Sequence, residues 1–205
     1  SNQSIQINAG KYSQISAPVT FFKALDFRAM KSLQSQVSYE IIMNKHTWTN
    51  AVFYQHHYDV PTNRFSQSFL NEAQGTTSFY FPDSKGNIYG LESSLDGKWG
   101  RWTHTHNLSL FKSLYETSEH TSSAGRFDQR VLIHNYIGRE WSRQGNKSKR
   151  LIGVFTGVHY GGSLRDSPIP LTNNALPYSI TRPDQFRLDF RLYRRKFYNT
   201  VNTLL

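Results

Sequence analysis

The strict alternation of apolar and polar residues between Gln185 and Phe197 restricts this chain more than any other feature of its sequence. Phe186, Leu188, Phe190 and Leu192 recur at every second position, with Arg187, Asp189, Arg191 and Tyr193 between them. Successive side chains of an extended strand point to opposite sides, so this spacing makes one greasy face and one charged face. A second strand is predicted over Arg150 to Tyr160, with Ile152, Val154, Thr156, Val158 and Tyr160 on one side and Gly153, Gly157 and His159 on the other. The same period places Leu33, Val37, Tyr39 and Ile41 against Gln34, Gln36, Ser38 and Glu40, and extends over Thr47 to Val60. It returns with Tyr89, Leu91 and Leu95 against Glu92, Ser94 and Asp96, and with Trp102, Leu108, Leu110 and Leu114 against Thr103, Thr105, Asn107 and Ser109. With Ser4 to Gln14 and the less cleanly sided Arg126 to Ser142, these make about eight full strands, and Thr200 to Leu205 a ninth that stops short.

Many of these strands exceed the ~5 to 6 residues usual in soluble sheets and reach the ~9 to 11 that cross a bilayer at a tilt. Their connections alternate in length. Short turns are expected at Asn44-Lys45, Gly97 to Arg101, Arg143 to Lys149 and Tyr198-Asn199, and longer connections at Ser16 to Ser32, Pro61 to Lys85, Thr117 to Gly125 and Gly161 to Asp184. Outer-membrane barrels have short periplasmic turns and longer extracellular loops, whereas soluble sandwiches more often use Greek-key connections. The expected fold is therefore all-β: an antiparallel, up-and-down transmembrane β-barrel segment of about eight to nine strands, without an internal domain boundary from residue 1 to 205.

Composition agrees where the argument needs it. Only 37% of residues are hydrophobic, and the apolar runs are as short as Leu151 to Phe155, far below the ~20 residues of a membrane-spanning helix. Barrel strands alternate and so look hydrophilic on average, which leaves the membrane open to this chain. The net charge of +10 admits nucleic acid, acidic lipid or lipopolysaccharide as partners. With no cysteine, disulfide scaffolds and thiolate metal sites are excluded. Ser1 to Gln14 carries neither a basic n-region nor an apolar h-region, so the expectation is that a signal peptide was removed or that the chain begins inside a longer protein.

At Tyr89-Gly90-Leu91-Glu92, and at Tyr160-Gly161-Gly162 followed by Arg165 and Pro168, the chain resembles TonB-dependent outer-membrane receptors, in particular those with a carboxypeptidase-regulatory-like N-terminal extension. Phe53-Tyr54-Gln55 leading to Tyr58-Asp59-Val60-Pro61 resembles the family's strand-to-loop segment. Gly138-Arg139-Glu140-Trp141 resembles its Gly-(Lys/Arg)-Glu-aromatic motif, and Asp184-Gln185-Phe186-Arg187-Leu188-Asp189 its Tyr/Gln-Phe-Arg-Leu-Asp segment. The order of these segments is that of the family, from Ala9-Gly10 to Leu205. The resemblance implies a C-terminal part of the receptor barrel, expected to lack both the family's last strands, after Thr200 to Leu205, and the N-terminal plug domain with its TonB box. It further implies residence in the cell outer membrane, contact with outer-membrane lipid and lipopolysaccharide, coupling to TonB through the plug, and uptake of a ligand of unknown identity.

Ligand capture is expected in the loops Pro61 to Lys85 and Gly161 to Asp184, which an up-and-down order returns to the same edge. Arg64, Phe79, Tyr80, Arg165, Tyr178 and Arg182 are the candidate ligand-binding residues, since aromatic and Arg side chains on partly ordered loops suit recognition. Packing of the same loops over the barrel mouth is the plainer reading of these residues.

Chemistry elsewhere is sparse. His104 and His106 share a face and could in principle share a metal ion, but Trp102, Leu108 and Leu110 lie on that face and no carboxylate or Cys is nearby, so an interfacial role is expected. His56 and His57 point to opposite faces and cannot chelate together without a bulge. The basic clusters Lys147 to Arg150 and Arg194 to Lys196 flank short turns, where Lys and Arg reach lipid head groups, and nucleic-acid binding is not expected. No phosphate loop, nucleophile elbow or His-Glu-x-x-His pattern occurs, so neither catalysis, a cofactor nor a metal is expected. Two other functions stay open at the level of sequence: a small self-contained outer-membrane barrel with a structural or adhesive role, and a basic soluble β-rich binding module.

Overall fold

The computed structural model describes residues 2–14, 29–63, 80–116, 122–125, 127–145, 148–166 and 179–198. In chain order they form β1 (Asn2–Gln14), β2 (Met30–Met43), β3 (His46–Asn63), β4 (Tyr80–Trp99), β5 (Trp102–Glu116), β6 (Ser122–Ala124), β7 (Val131–Gln144), β8 (Ser148–Gly161), β9 (Arg165–Asp166), β10 (Ile180–Thr181) and β11 (Gln185–Tyr198). The fold is all-β. The long strands pair antiparallel in the order β1-β2-β3-β4-β5-β7-β8-β11, with β6 added to β5 and β9 paired to β10 in a separate ribbon. This is one up-and-down meander whose outermost strands, β1 and β11, are not paired with each other.

The long strands range from the 13 residues of β1 to the 20 of β4, beyond the ~9 to 11 that a tilted strand needs to cross a bilayer. Tight turns at Asn44-Lys45 and Gly100-Arg101, with the short connection between Gln144 and Ser148, mark one edge of the sheet, and the long connections mark the other. Asn44 (φ 52°) and Gly100 (φ 63°) take the left-handed conformation at the first turn position, which matches the twist of the strands they join.

Strand ends differ from the sequence expectation most in two places, while β2 starts within the expected 16–32 connection and β6, β9 and β10 lie within expected connections. The connection expected over Pro61 to Lys85 contracts to 64–79, because Val60 pairs with Ser84, Thr62 with Phe81 and Asn63 with Tyr80. Proline normally punctuates a strand, but here the register shifts between His57 and Thr62, and such a bulge tolerates a residue with no N–H to donate. Asp59, at φ 55°, sits in the bulge, and its carboxylate accepts a hydrogen bond from Lys31 Nζ at 2.9 Å. The strand expected from Arg126 starts instead at Val131, because Arg130 turns the chain at φ 61°. The ninth strand expected at Thr200 to Leu205 lies outside the described residues.

Register carries each face across the sheet without a break. Val37, Val52, Leu91, Leu110 and Val131 stand opposite one another in turn. On β11, Leu188 faces Val158 and Leu192 faces Val154. The opposite side has a polar row: Glu40, Thr49, Ser94, Asn107, His134, His159 and Arg187.

Burial is inverted relative to a soluble sheet. Val52 is 60% exposed, Leu188 64% and Phe190 72%, while the buried apolar residues among those described are only Ala51 and Val60. Ser32, Ser113 and His159, all on the polar side, are buried. That side is filled by rings laid over glycines, with Phe155 on Gly138, Tyr193 on Gly153 and Tyr115 on Gly86. A Cβ at Gly138 would fall 2.0 Å from Phe155, so the missing side chain is what lets the ring lie down and cover the backbone.

Candidate functional site

The long-connection edge is built around a carboxylate. Asp128 follows β6 in the turn before β7, and its side chain is fully buried. Its Oδ1 accepts a hydrogen bond from the Ser113 backbone N–H at 2.8 Å. Its Oδ2 lies 3.5 Å from Arg165 Nε and 3.7 Å from Arg130 Nε. A buried charge needs such compensation, and here the compensation ties the β5–β7 connection to the β8–β11 connection. The two also approach through backbone: Gly162 N–H donates to Val131 O at 2.9 Å, and a Cβ at Gly162 would fall 2.0 Å from the Gln129 carbonyl oxygen.

Beyond Gly162 the β8–β11 connection rises as the β9–β10 ribbon, where Ile180 pairs with Asp166 and Thr181 with Arg165. Arg182 makes an ion pair with Asp166, and its N–H donates to Leu164 O at 2.8 Å. At the base, Asp184 accepts hydrogen bonds from Tyr160 Oη at 2.6 Å and Ser163 Oγ at 2.8 Å. These bonds, that of Tyr160 foremost, hold the Asp184 carboxyl below its usual range, because they stabilise the ionised form.

Of the candidate ligand-binding residues, Arg165 and Arg182 are thus engaged within the protein, as anchors of their loop. Tyr80 opens β4 opposite Asn63. Arg64, Phe79 and Tyr178 lie outside the described residues; among the described candidates, Arg165 on β9 and Arg182, the residue after β10, share the ribbon.

A polar cluster that the sequence reading passed over lies just inside this edge. His134 Nδ1 and His159 Nδ1 are 2.7 Å apart, so one ring must donate and the other accept. His159 Nε2 comes within 2.9 Å of Asp189 Oδ2, inside ion-pair distance although not aligned as a hydrogen bond, and Arg187 contacts the same oxygen at 3.0 Å. Tyr136 meets His159 edge-on, with centroids 5.1 Å apart. Gln144 pairs with Lys149, so the register that brings the two histidines together is offset by one residue from a count outward from the middle of the 145–147 connection, and only the paired sheet sets it.

The tight-turn edge has a different character. All 4 tryptophans of the chain, Trp48, Trp99, Trp102 and Trp141, fall on the apolar face close to this edge. His46, His104 and His106 join them, with His46 and His104 stacked at 5.2 Å and His104 and His106 tilted against each other at 5.1 Å. Gly97, which pairs with both His46 and His104, leaves room for these rings. Among the described residues, no group of three or more His, Cys, Asp or Glu side chains is placed to hold a metal ion. His56 and His57 occupy opposite faces, and Nδ1 of His56 contacts Asn87 Oδ1 at 2.8 Å.

No helix among the described residues is long and apolar enough to cross a membrane, which says nothing of a β-barrel. Compared with protein-family models, with curated proteins and with solved structures, the chain matches none.

Proposed function

We propose that this chain is part of the transmembrane β-barrel of a TonB-dependent outer-membrane receptor, and that the parent protein takes up a ligand across the outer membrane. The carrying observation is the single-layered meander with a largely apolar face that none of the described residues covers. In water such a face would expose far more than the few hundred Å2 of contiguous apolar surface that soluble monomers tolerate. In a bilayer it meets lipid, while backbone groups are satisfied between strands. The tryptophan-rich tight-turn edge then lies at the periplasmic interface and the long connections face outward. Because β1 and β11 do not pair with each other, a larger barrel accounts for the sheet better than a self-contained one.

In this reading the loops 64–79 and 161–184 contribute to ligand capture, with Arg64, Phe79, Tyr80 and Tyr178 as the contact candidates. Arg165 and Arg182 position the second loop. Energy coupling belongs to a plug domain acting with TonB and not to these residues.

The test uses the intact receptor in its own membrane. Outer-membrane fractionation with heat-modifiable gel mobility should report an assembled barrel. Deletion of the tip of each loop should then lower ligand affinity or uptake without abolishing insertion. Recovery of the intact protein in a soluble fraction would overturn the membrane reading, and unchanged uptake after both deletions would overturn the loop assignment.

A further inference from the structure

On the apolar face, beside the Gly100-Arg101 turn, a pocket of about 890 Å3 opens between β3, β4, β5 and β7. Its walls combine Trp99, Trp102 and Ile137 with Arg101, Arg139 and His104. The position is unusual for basic groups, because the strand residues among them share a face with Leu95, Leu108 and Leu110 and not with the polar row. Three histidines and two arginines converge here, and no carboxylate lines the pocket.

Two of these groups have unused hydrogen-bonding capacity. His104 is 91% buried, the complement of its 9% exposure, and its Nδ1 has no hydrogen-bond partner. Arg139 Nε is likewise buried and unpartnered. The Arg139 guanidinium is held by rings instead, 5.0 Å from the centroid of Trp141 and 5.6 Å from that of Trp102. Cation–π contact fixes an arginine while leaving its N–H groups free to donate. A buried donor without a partner is costly, but it is the lining as a whole that selects the occupant: two arginines and three histidines without a carboxylate, beside Trp99, Trp102, Leu95 and Ile137, suit an acidic head on an apolar body.

We propose that this pocket is a binding site for an anionic glycerophospholipid of the leaflet that meets the tight turns. The phosphate accepts from Arg139, Arg101 and His104, and the acyl chains run up the apolar face over Leu95, Ile137 and Leu108. The inference rests on the barrel reading, and names one lipid site within what would otherwise be a uniform lipid annulus. Charge complementarity selects the occupant: the positive groups are gathered at the depth of the head groups, beside aromatic rings that favour the same interface.

The experiment purifies the intact receptor in detergent, adds an equimolar mixture of phosphatidylglycerol and phosphatidylcholine, and counts retained lipids by native mass spectrometry. Heat-modifiable mobility is recorded on the same samples, so that loss of the barrel is read separately from loss of the site. We expect the wild type to retain phosphatidylglycerol in preference, and Arg139→Gln and Arg101→Gln each to lower that retention about tenfold, equivalent to about 1.4 kcal/mol. Lys98→Gln, near the same edge but on the opposite face and outside the pocket, is expected to change nothing. Should Arg139→Gln fail to assemble, Arg101→Gln decides, because Arg101 lies in the exposed turn. Equal retention of both lipids, an undiminished signal in an assembled Arg101→Gln variant, or displacement of the lipid by inorganic phosphate alone would overturn the proposal.

Discussion

The two faces of the sheet solve the same problem with opposite means. On the polar face the protein supplies its own partners: rings cover glycines, His134 meets His159, and Asp189 collects His159 and Arg187. On the apolar face Val52, Leu91, Leu110 and Leu188 stand exposed among the described residues. The difference teaches that strand pairing and face chemistry are separable. Backbone hydrogen bonds build the sheet, and the alternating side chains then give its two sides opposite character.

The largest expected effect concerns the part of the molecule that should not depend on lipid at all. Replacing Asp128 by Ala strips the partner from Arg165 and from the Ser113 amide, and breaking a buried pair of this kind costs about 3–5 kcal/mol. Hydrogen exchange at the Ser113 amide should accelerate, in detergent and in bilayers alike. A loss confined to one of those two media would erase the distinction between protein-satisfied and lipid-satisfied regions.

Next is the direct comparison of faces. Leu91→Arg, in the middle of the apolar row, should destabilise the barrel in bilayers by about 2–4 kcal/mol, whereas Gln36→Arg on the polar face should stay within about 0.5 kcal/mol. Reversible denaturant unfolding in liposomes measures both. Equal tolerance at the two positions would break the assignment of the apolar face to lipid.

A smaller effect tests how the polar side is packed. Gly138→Ala places a methyl group where the Phe155 ring lies, and overpacking of this sort costs about 1–3 kcal/mol. Combined with Phe155→Ala, the glycine substitution should lose most of its cost, a coupling that a double-mutant cycle reads directly. Additive effects would show that the ring and the glycine are not partners.

The smallest effect is a pH dependence at the loop base. The hydrogen bonds from Tyr160 and Ser163 hold Asp184 below its ordinary value of 3.8. Their contribution is therefore fully present above that value and is lost as the pH falls through the depressed one. Limited proteolysis of the β9–β10 ribbon should increase only under strongly acidic conditions, and Tyr160→Phe should move the onset to higher pH. An onset unaffected by that substitution would detach Asp184 from the anchoring of the loop.

The faces of the strands could be read from the chain because side-chain direction in a strand is set by the residue's own backbone. The alternation at Phe186, Leu188, Phe190 and Leu192 needs no partner to be recognised, and neither does the turn at Asn44-Lys45. The ends of β3 and β4 were less legible, since Pro61 and Pro82 punctuate locally while the bulge that accommodates the first of them exists only in the paired sheet. Arg165 illustrates the same limit at the site: composition marks it as a ligand-contact candidate, yet its partner is Asp128, which belongs to another connection. What the sequence by itself determined is therefore the all-β class, the two-faced strands and the alternation of short and long connections, all of them products of short-range stereochemistry. Only the tertiary structure decided that His134 would meet His159, that Phe155 would lie on Gly138, and that His46 and His104 would stack beside Gly97, because each contact depends on register between strands, and register is a property of the pair and of neither strand alone.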